Sequence, residues 1–244
     1  MIAPAALRPH DVGERVATLD WAAIRADLDA EGWARLPGLL TGAEAAAIAG
    51  LYDDDRHFRS HVHMARHGFG RGEYKYFRYP LPDLVARLRA AFYPRLALVA
   101  RDWNLRMKTE REYPEKLDEY ISLCHAAGQR RPTLLLLRYG PGDYNCLHQD
   151  LYGAELFPLQ LTLLLSRPGA DFSGGEFVMT EQRPRMQSRV SVVPLDLGDA
   201  VVFAVNQRPV RGVRGDYRVA MRHGVSGIRH GRRHALGIIF HDAA

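Results

Sequence analysis

From Thr133 onward the chain is cut into short apolar or alternating segments separated by Gly, Pro and Asp, and this constrains its fold more than any other feature. Segments near 133–139, 147–150, 159–166, 175–180, 189–194, 200–205, 217–225 and 234–240 all have strand length. Eight short strands with no helical period between them predict an antiparallel sandwich or barrel, not a parallel α/β sheet. No internal repeat and no linker interrupts them, so the change of texture near residue 130 falls within one domain.

The first 130 residues read differently. Residues 1–19 look like a loose leader. Asp20 is placed to cap a helix starting at Trp21, with Gly32 as its stop. Trp33–Leu36 is a short strand turned by Pro37 and Gly38, and Thr41 with Glu44 fits a capping box ahead of an Ala-rich helix reaching about Tyr52. Asp53, Asp54 and Asp55 look like a solvated helix end. Apolar residues at Leu84, Leu88, Phe92, Leu96 and Val99 keep a helical period from Pro82 to about Trp103, where Pro94 predicts a kink or break. Another helix is expected from Pro114 to Ala127, ending at Gly128. The chain thus reads as a single domain, 1–244. Residues 1–130 would give helical support and a substrate-lid region, and 131–244 the core.

Two cysteines in 244 residues argue against a disulfide framework. No run of about 18 uncharged apolar residues occurs, so a soluble cytoplasmic protein with no membrane partner is expected. The chain is basic, with net charge +5 and a pI near 9.3. Only Lys75, Lys108 and Lys116 are lysines, which leaves 30 arginines. Arginine pairs bidentately with phosphate and stacks on rings, so a nucleic-acid partner is admitted; a codon bias would give the same count. Between 56 and 79 basic residues such as Arg71 and Arg78 interleave with rings such as Tyr74 and Tyr76, a pairing suited to single-stranded nucleic acid. The same stretch also reads as a hairpin whose alternate aromatics pack on a core. Arg185 lies in a second basic loop, 183–189.

One stretch of the β-half can carry chemistry. After the turn Gly140-Pro141-Gly142, His148 and Asp150 stand two apart, and positions i and i+2 of a strand share a face. An imidazole and a carboxylate there can hold a divalent metal. A second histidine from a distant strand would complete a two-histidine, one-carboxylate set with open positions on Fe(II). With 11 histidines in the chain, a His-x-Asp pair has weak force alone. His61-x-His63 is set aside as a metal motif.

Taken in order, Tyr139, His148-x-Asp150, Gly174-Gly175-Glu176, Gly198-Asp199-Ala200 with Phe203, His223 and Arg233 resemble the Fe(II)/2-oxoglutarate-dependent dioxygenases over roughly residues 133–241. The resemblance implies a mostly β fold with flanking α: a double-stranded β-helix, or jelly-roll, with N-terminal helices packed on one face. It further implies His148, Asp150 and His223 as metal ligands, with Arg233 and Tyr139 holding the distal carboxylate of 2-oxoglutarate and O2 as co-substrate. His230, His234 and His241 compete with His223, and Arg232 with Arg233; His234 should face away from Arg233, and His241 should be exposed.

More narrowly, residues 183–242 resemble a bacterial group described as oxygenases acting on damaged nucleic acid. That likeness implies oxidative dealkylation of damaged DNA or RNA, with Tyr74, Tyr76, Arg71, Arg78 and Arg185 as candidate substrate contacts and Arg208, Arg211, Arg214, Arg218 and Arg222 as further basic groups. The last strand lacks the Arg-x-Asn-x-Thr-x-Arg signature of AlkB-type repair enzymes. A peptide hydroxylase of the prolyl type therefore stands as an alternative, and a non-catalytic metal-binding jelly roll as another.

Overall fold

The computed structural model describes residues 11–244. The chain begins with α1 (Val12–Ala17), α2 (Trp21–Glu31), β1 (Trp33–Leu36), α3 (Gly42–Gly50), β2 (Phe58–His63), β3 (Gly70–Arg71) and β4 (Glu73–Phe77). Two longer helices follow, α4 (Asp83–Met107) and α5 (Leu117–Ala126). The rest is strand: β5 (Leu135–Tyr139), β6 (Tyr144–His148), β7 (Leu159–Leu164), β8 (Phe172–Gly174), β9 (Phe177–Gln182) and β10 (Arg189–Val193). It closes with β11 (Ala200–Ala204), β12 (Gln207–Gly212), β13 (Gly215–Val225), β14 (Ile228–Gly231) and β15 (Arg233–Ile238).

From β5 the chain winds between two antiparallel sheets. Strands β5, β7, β11 and β15 enter a seven-stranded sheet ordered β1-β11-β7-β15-β5-β4-β2. Strands β6, β9, β10 and β13 enter the second, ordered β10-β9-β13-β6-β3, with β12 paired to β13. This alternation is the winding of a double-stranded β-helix. All five residues of β11 are buried, so both its faces need cover. The helices close over the larger sheet, α2 on β1 and β11 and α3 on β15, while α4 also meets β12 and β13.

Local chemistry accounts for the helix ends. Asp20 accepts from the Ala23 amide, and Gly32 closes α2 at φ 80°, where a side chain would be strained. Thr41 and Glu44 form the expected capping box.

Several expectations need correction. The part of the supposed leader from residue 11 includes α1, fixed by an Arg15–Glu44 ion pair and a Trp21 indole bond to the Val16 carbonyl; residues 1–10 lie outside the described residues. Pro94 neither breaks nor ends α4. A proline inside a helix costs about 3 kcal/mol, and burial of Phe92, Tyr93, Leu96 and Trp103 along the same helix outweighs it. Strands β8, β12 and β14 went unread because they are short or rich in Gly, Arg and Pro. The texture change near 130 does not divide the sheets, since β1, β2 and β4 extend the larger and β3 the smaller. Residues 58–77 are mostly ladder, β2 on β4 and β4 on β5.

Two buried carboxylates, Asp199 and Glu181, also change the reading. Asp199 accepts from Arg35 at 2.7 Å, from the Gly38 amide at 2.7 Å and from the Asp196 amide at 2.9 Å, so the Gly198-Asp199 turn clasps β1. Arg208, read as a surface cation, is buried against Glu181 and donates to the Asp29 and Ala30 carbonyls. No helix among the described residues is long and apolar enough to cross a membrane.

A two-histidine, one-carboxylate centre facing a buried arginine

His148 ends β6, and its cross-strand partner on β13 is His223. This pairing stacks the two imidazoles with ring centroids 4.2 Å apart. Asp150 follows two residues after His148, already beyond the strand, so strand alternation is not what brings it to the same side. The turn does so instead. His148 Nε2 lies 3.4 Å from Asp150 Oδ1, and His223 Nε2 lies 3.5 Å from Oδ2.

These separations suit a shared ion. Two atoms each about 2.1 Å from a metal, at octahedral to tetrahedral angles, lie about 3.0–3.4 Å apart. His148 Nδ1 donates to the Cys146 carbonyl at 2.8 Å, which orients the ring so that Nε2 points toward Asp150. Burial alone would raise the Asp150 pKa, but hydrogen bonds from both histidines hold the carboxyl well below the usual carboxylate range. His223 packs against Phe203 and Phe177, and burial pushes its pKa down despite the neighbouring Asp150.

A second cluster, His61, His63 and Glu73, also brings three donors together. Here the spacing is that of a hydrogen bond: His61 Nε2 sits 2.7 Å from Glu73 Oε2, while Arg138 holds Oε1 at 2.8 Å. The sequence could not show Glu73 meeting the two histidines across the β2–β4 ladder.

The first cluster opens on a cavity of about 190 Å3 walled by Phe69, Tyr74, Tyr139, Asn145, Tyr152 and Arg233, among others. Arg233 pairs with Tyr139 across β15 and β5. Its guanidinium lies 5.6 Å from the Tyr139 ring and 5.9 Å from that of Phe172. Arg233 is 1% exposed, yet among the described residues no carboxylate lies within ion-pair distance of it. Its Nε and the Tyr139 hydroxyl are both buried without a hydrogen-bond partner. Burial lowers the Arg233 pKa, but arginine keeps its charge in proteins. A buried cation with no carboxylate at ion-pair distance among the described residues is the donor a small carboxylate needs. The candidate metal donors lie on the smaller sheet and its exit turn, and the candidate anion donors on the larger.

The other sequence candidates separate. His234 faces away from Arg233 onto the Tyr52 ring, and burial lowers its pKa to about 4. Arg232 borders a second, polar depression with His63, Arg71 and Glu73. His241 is fully buried, contrary to expectation, because the C-terminal segment tucks under α5: Gln129 donates to the Asp242 carbonyl, and Arg89 and His125 pair with the Asp242 carboxylate. Tyr74 lines the cavity, and Tyr76 is half-buried under the Arg59 guanidinium. Arg71, Arg78 and Arg185 are exposed. Arg218 is tied to the Met107 carbonyl. Phe69, one of the rings of the basic-aromatic stretch, also lines the cavity, while sequence reasoning missed Asn145, Tyr152 and Gln160, whose residue types carry no metal or anion signature by themselves.

Comparison with known proteins agrees with this geometry. A family model described as "Oxygenase, catalysing oxidative methylation of damaged DNA" matches residues 72–243. An uncharacterized protein of Mycobacterium tuberculosis, in strains CDC 1551 and H37Rv, is 49% identical over 168 residues, covering 69% of this chain and 72% of the relative. Among solved structures, a 2OG-Fe(II) oxygenase family oxidoreductase of Burkholderia pseudomallei superposes with TM-score 0.54 at 19% identity, over 93% of this chain and 94% of its own. A Pseudomonas putida prolyl-4-hydroxylase gives 0.51 at 15%, over 92% and 99%. At such identities these structures speak for the shared fold.

Proposed function

The chain belongs to the oxygenase family described as acting on damaged DNA, and from that premise we propose that it is an Fe(II)/2-oxoglutarate-dependent dioxygenase that removes alkyl groups from nucleic acid by oxidation. The carrying observation is the buried, uncompensated Arg233 guanidinium opening on the same cavity as His148, Asp150 and His223. When bound, the metal and the keto acid supply the oxidant that hydroxylates a C–H bond; a hydroxylated N-alkyl carbon then leaves as an aldehyde.

The chain's own residues do the rest. His148, Asp150 and His223 would hold the metal. Arg233 and the Tyr139 hydroxyl would take the far carboxylate of the keto acid and fix how it enters the cavity. Phe177 and Phe203 against His223 keep that wall apolar. At the mouth, Phe69 is 47% exposed and stacks on His67 with centroids 5.3 Å apart. Arg66 and Arg71, on the same hairpin, make no ion pair among the described residues. An exposed ring between unpaired cations suits an unstacked base and its phosphates.

The test measures succinate formation from 2-oxoglutarate with Fe(II), supplying alkylated single-stranded oligonucleotides or proline-containing peptides and reading products by mass. Substrate-stimulated turnover and loss of the alkyl mass from the oligonucleotide are expected. Binding to the oligonucleotide should fall linearly with salt on a log–log scale. Turnover on peptides alone would replace this substrate with the peptide one, and no metal- and keto-acid-dependent turnover on any substrate would remove the oxygenase reading.

A further inference from the structure

Asp150 is gripped from outside the donor set at both carboxylate oxygens. The Tyr152 hydroxyl donates to Oδ1 at 2.8 Å, and Gln160 Nε2 donates to Oδ2 at 2.9 Å. These are the oxygens that face His148 and His223 respectively. A carboxylate pinned at both ends cannot turn about its Cβ–Cγ bond without breaking one of the two bonds.

The two grips come from different places. Gln160 sits on β7 in the larger sheet, 3% exposed, between buried Leu159 and Leu161. A buried amide among leucines carries a desolvation cost unless it is bonded, and Asp150 is the acceptor it has. Tyr152 comes from the connection between β6 and β7 and lines the same cavity as Tyr74, whose ring meets that of Tyr76 edge-on. A hydroxyl has one proton, and that of Tyr152 goes to the Asp150 carboxylate.

We propose that Tyr152 and Gln160 are positioning residues for the metal centre: together they set the plane of the Asp150 carboxylate so that the three donor atoms stand ready for one ion. The proposal rests on the metal reading of His148, Asp150 and His223. Gln160 reaches across from the larger sheet, so the donor set of the smaller sheet is aligned by its neighbour. Neither residue touches the ion; each acts through Asp150. Outer hydrogen bonds of this kind typically change metal affinity roughly 10- to 100-fold when removed.

The experiment titrates Co(II) into the full chain, wild type, Tyr152→Phe, Gln160→Leu and Asp150→Ala, reading affinity by calorimetry and ligand geometry by the visible Co(II) spectrum. Tyr152→Phe keeps the ring and should still fold, its metal-free melting temperature lowered by a few degrees at most through the one hydrogen bond lost. Both positioning variants should bind Co(II) roughly 10- to 100-fold more weakly, with a shifted spectrum, and Asp150→Ala should lose the site. A variant that binds within about twofold of wild type with an unshifted spectrum overturns the role of that residue. If Gln160→Leu does not fold, Tyr152→Phe decides the case. If wild type binds Co(II) no better than Asp150→Ala, the metal reading itself fails, a result distinguishable from the other.

Discussion

Replacing Arg233 by Met should weaken 2-oxoglutarate steeply while leaving the ligand-free fold at least as stable as before. The guanidinium is 1% exposed, and among the described residues it has no carboxylate partner and an unbonded Nε. Truncating one side of a buried, hydrogen-bonded charge pair costs about 2–5 kcal/mol. At 1.4 kcal/mol per tenfold, the KM for 2-oxoglutarate should rise on the order of 30- to 3,000-fold. Among the described residues no carboxylate lies within ion-pair distance to be orphaned by the change. Met, of similar length, replaces a buried ion with apolar volume, a swap that is neutral or stabilising. Arg233→Lys keeps the charge but loses the fork and should fall between. Succinate formation against 2-oxoglutarate gives KM, and thermal melts with and without 2-oxoglutarate give the other half: the keto acid should stabilise wild type and not the Met variant. An unchanged KM, or a ligand-free melting temperature several degrees lower, would refute the reasoning.

Three further outcomes follow from the buried contacts. Asp199→Asn, which removes the charge clasping Arg35 and the Gly38 amide, should cost about 2–3 kcal/mol in denaturant unfolding, with its damage concentrated at β1 in hydrogen exchange. Arg208→Ala leaves Glu181 buried beside the exposed Arg183 and should cost about 3–5 kcal/mol; a loss below about 1 kcal/mol would mean that Glu181 finds other support. Arg15 holds the Glu44 pKa at about 2, below its ordinary 4.5, so the stabilisation is complete above pH 4.5 and disappears as pH falls toward 2. Melting temperatures of wild type and Glu44→Gln should therefore differ at pH 6 and converge in that acid window, by an amount kept small by partial solvent exposure.

The parts of this protein legible in its sequence are those fixed by local chemistry. Caps at Asp20 and Thr41, the stop at Gly32 and the alternation of the later strands are decided within a few residues of themselves. Contacts set by tertiary packing were not legible. Pro94 stays helical because distant aromatics bury its helix, and Arg208 is buried because α2 offers carbonyls to it from nearly two hundred residues away. His241 looked like a chain end and is core, because Gln129 and Arg89 hold the segment around it. At the site, His148 and Asp150 were readable as a pair, although for the wrong reason. Gln160 was invisible, since its meaning lies in a carboxylate that a separate turn delivers.

The ligand sets divide between the sheets in a way that bears on mechanics. His148 and His223 are direct neighbours on one layer, Arg233 and Tyr139 direct neighbours on the other. A keto acid reaching from metal to guanidinium would therefore act as a crossbeam between two slabs that are otherwise held together mainly by greasy contact. Loading it should stiffen the sandwich as a whole, slowing amide exchange in β5 and β13 alike, well beyond the atoms it touches.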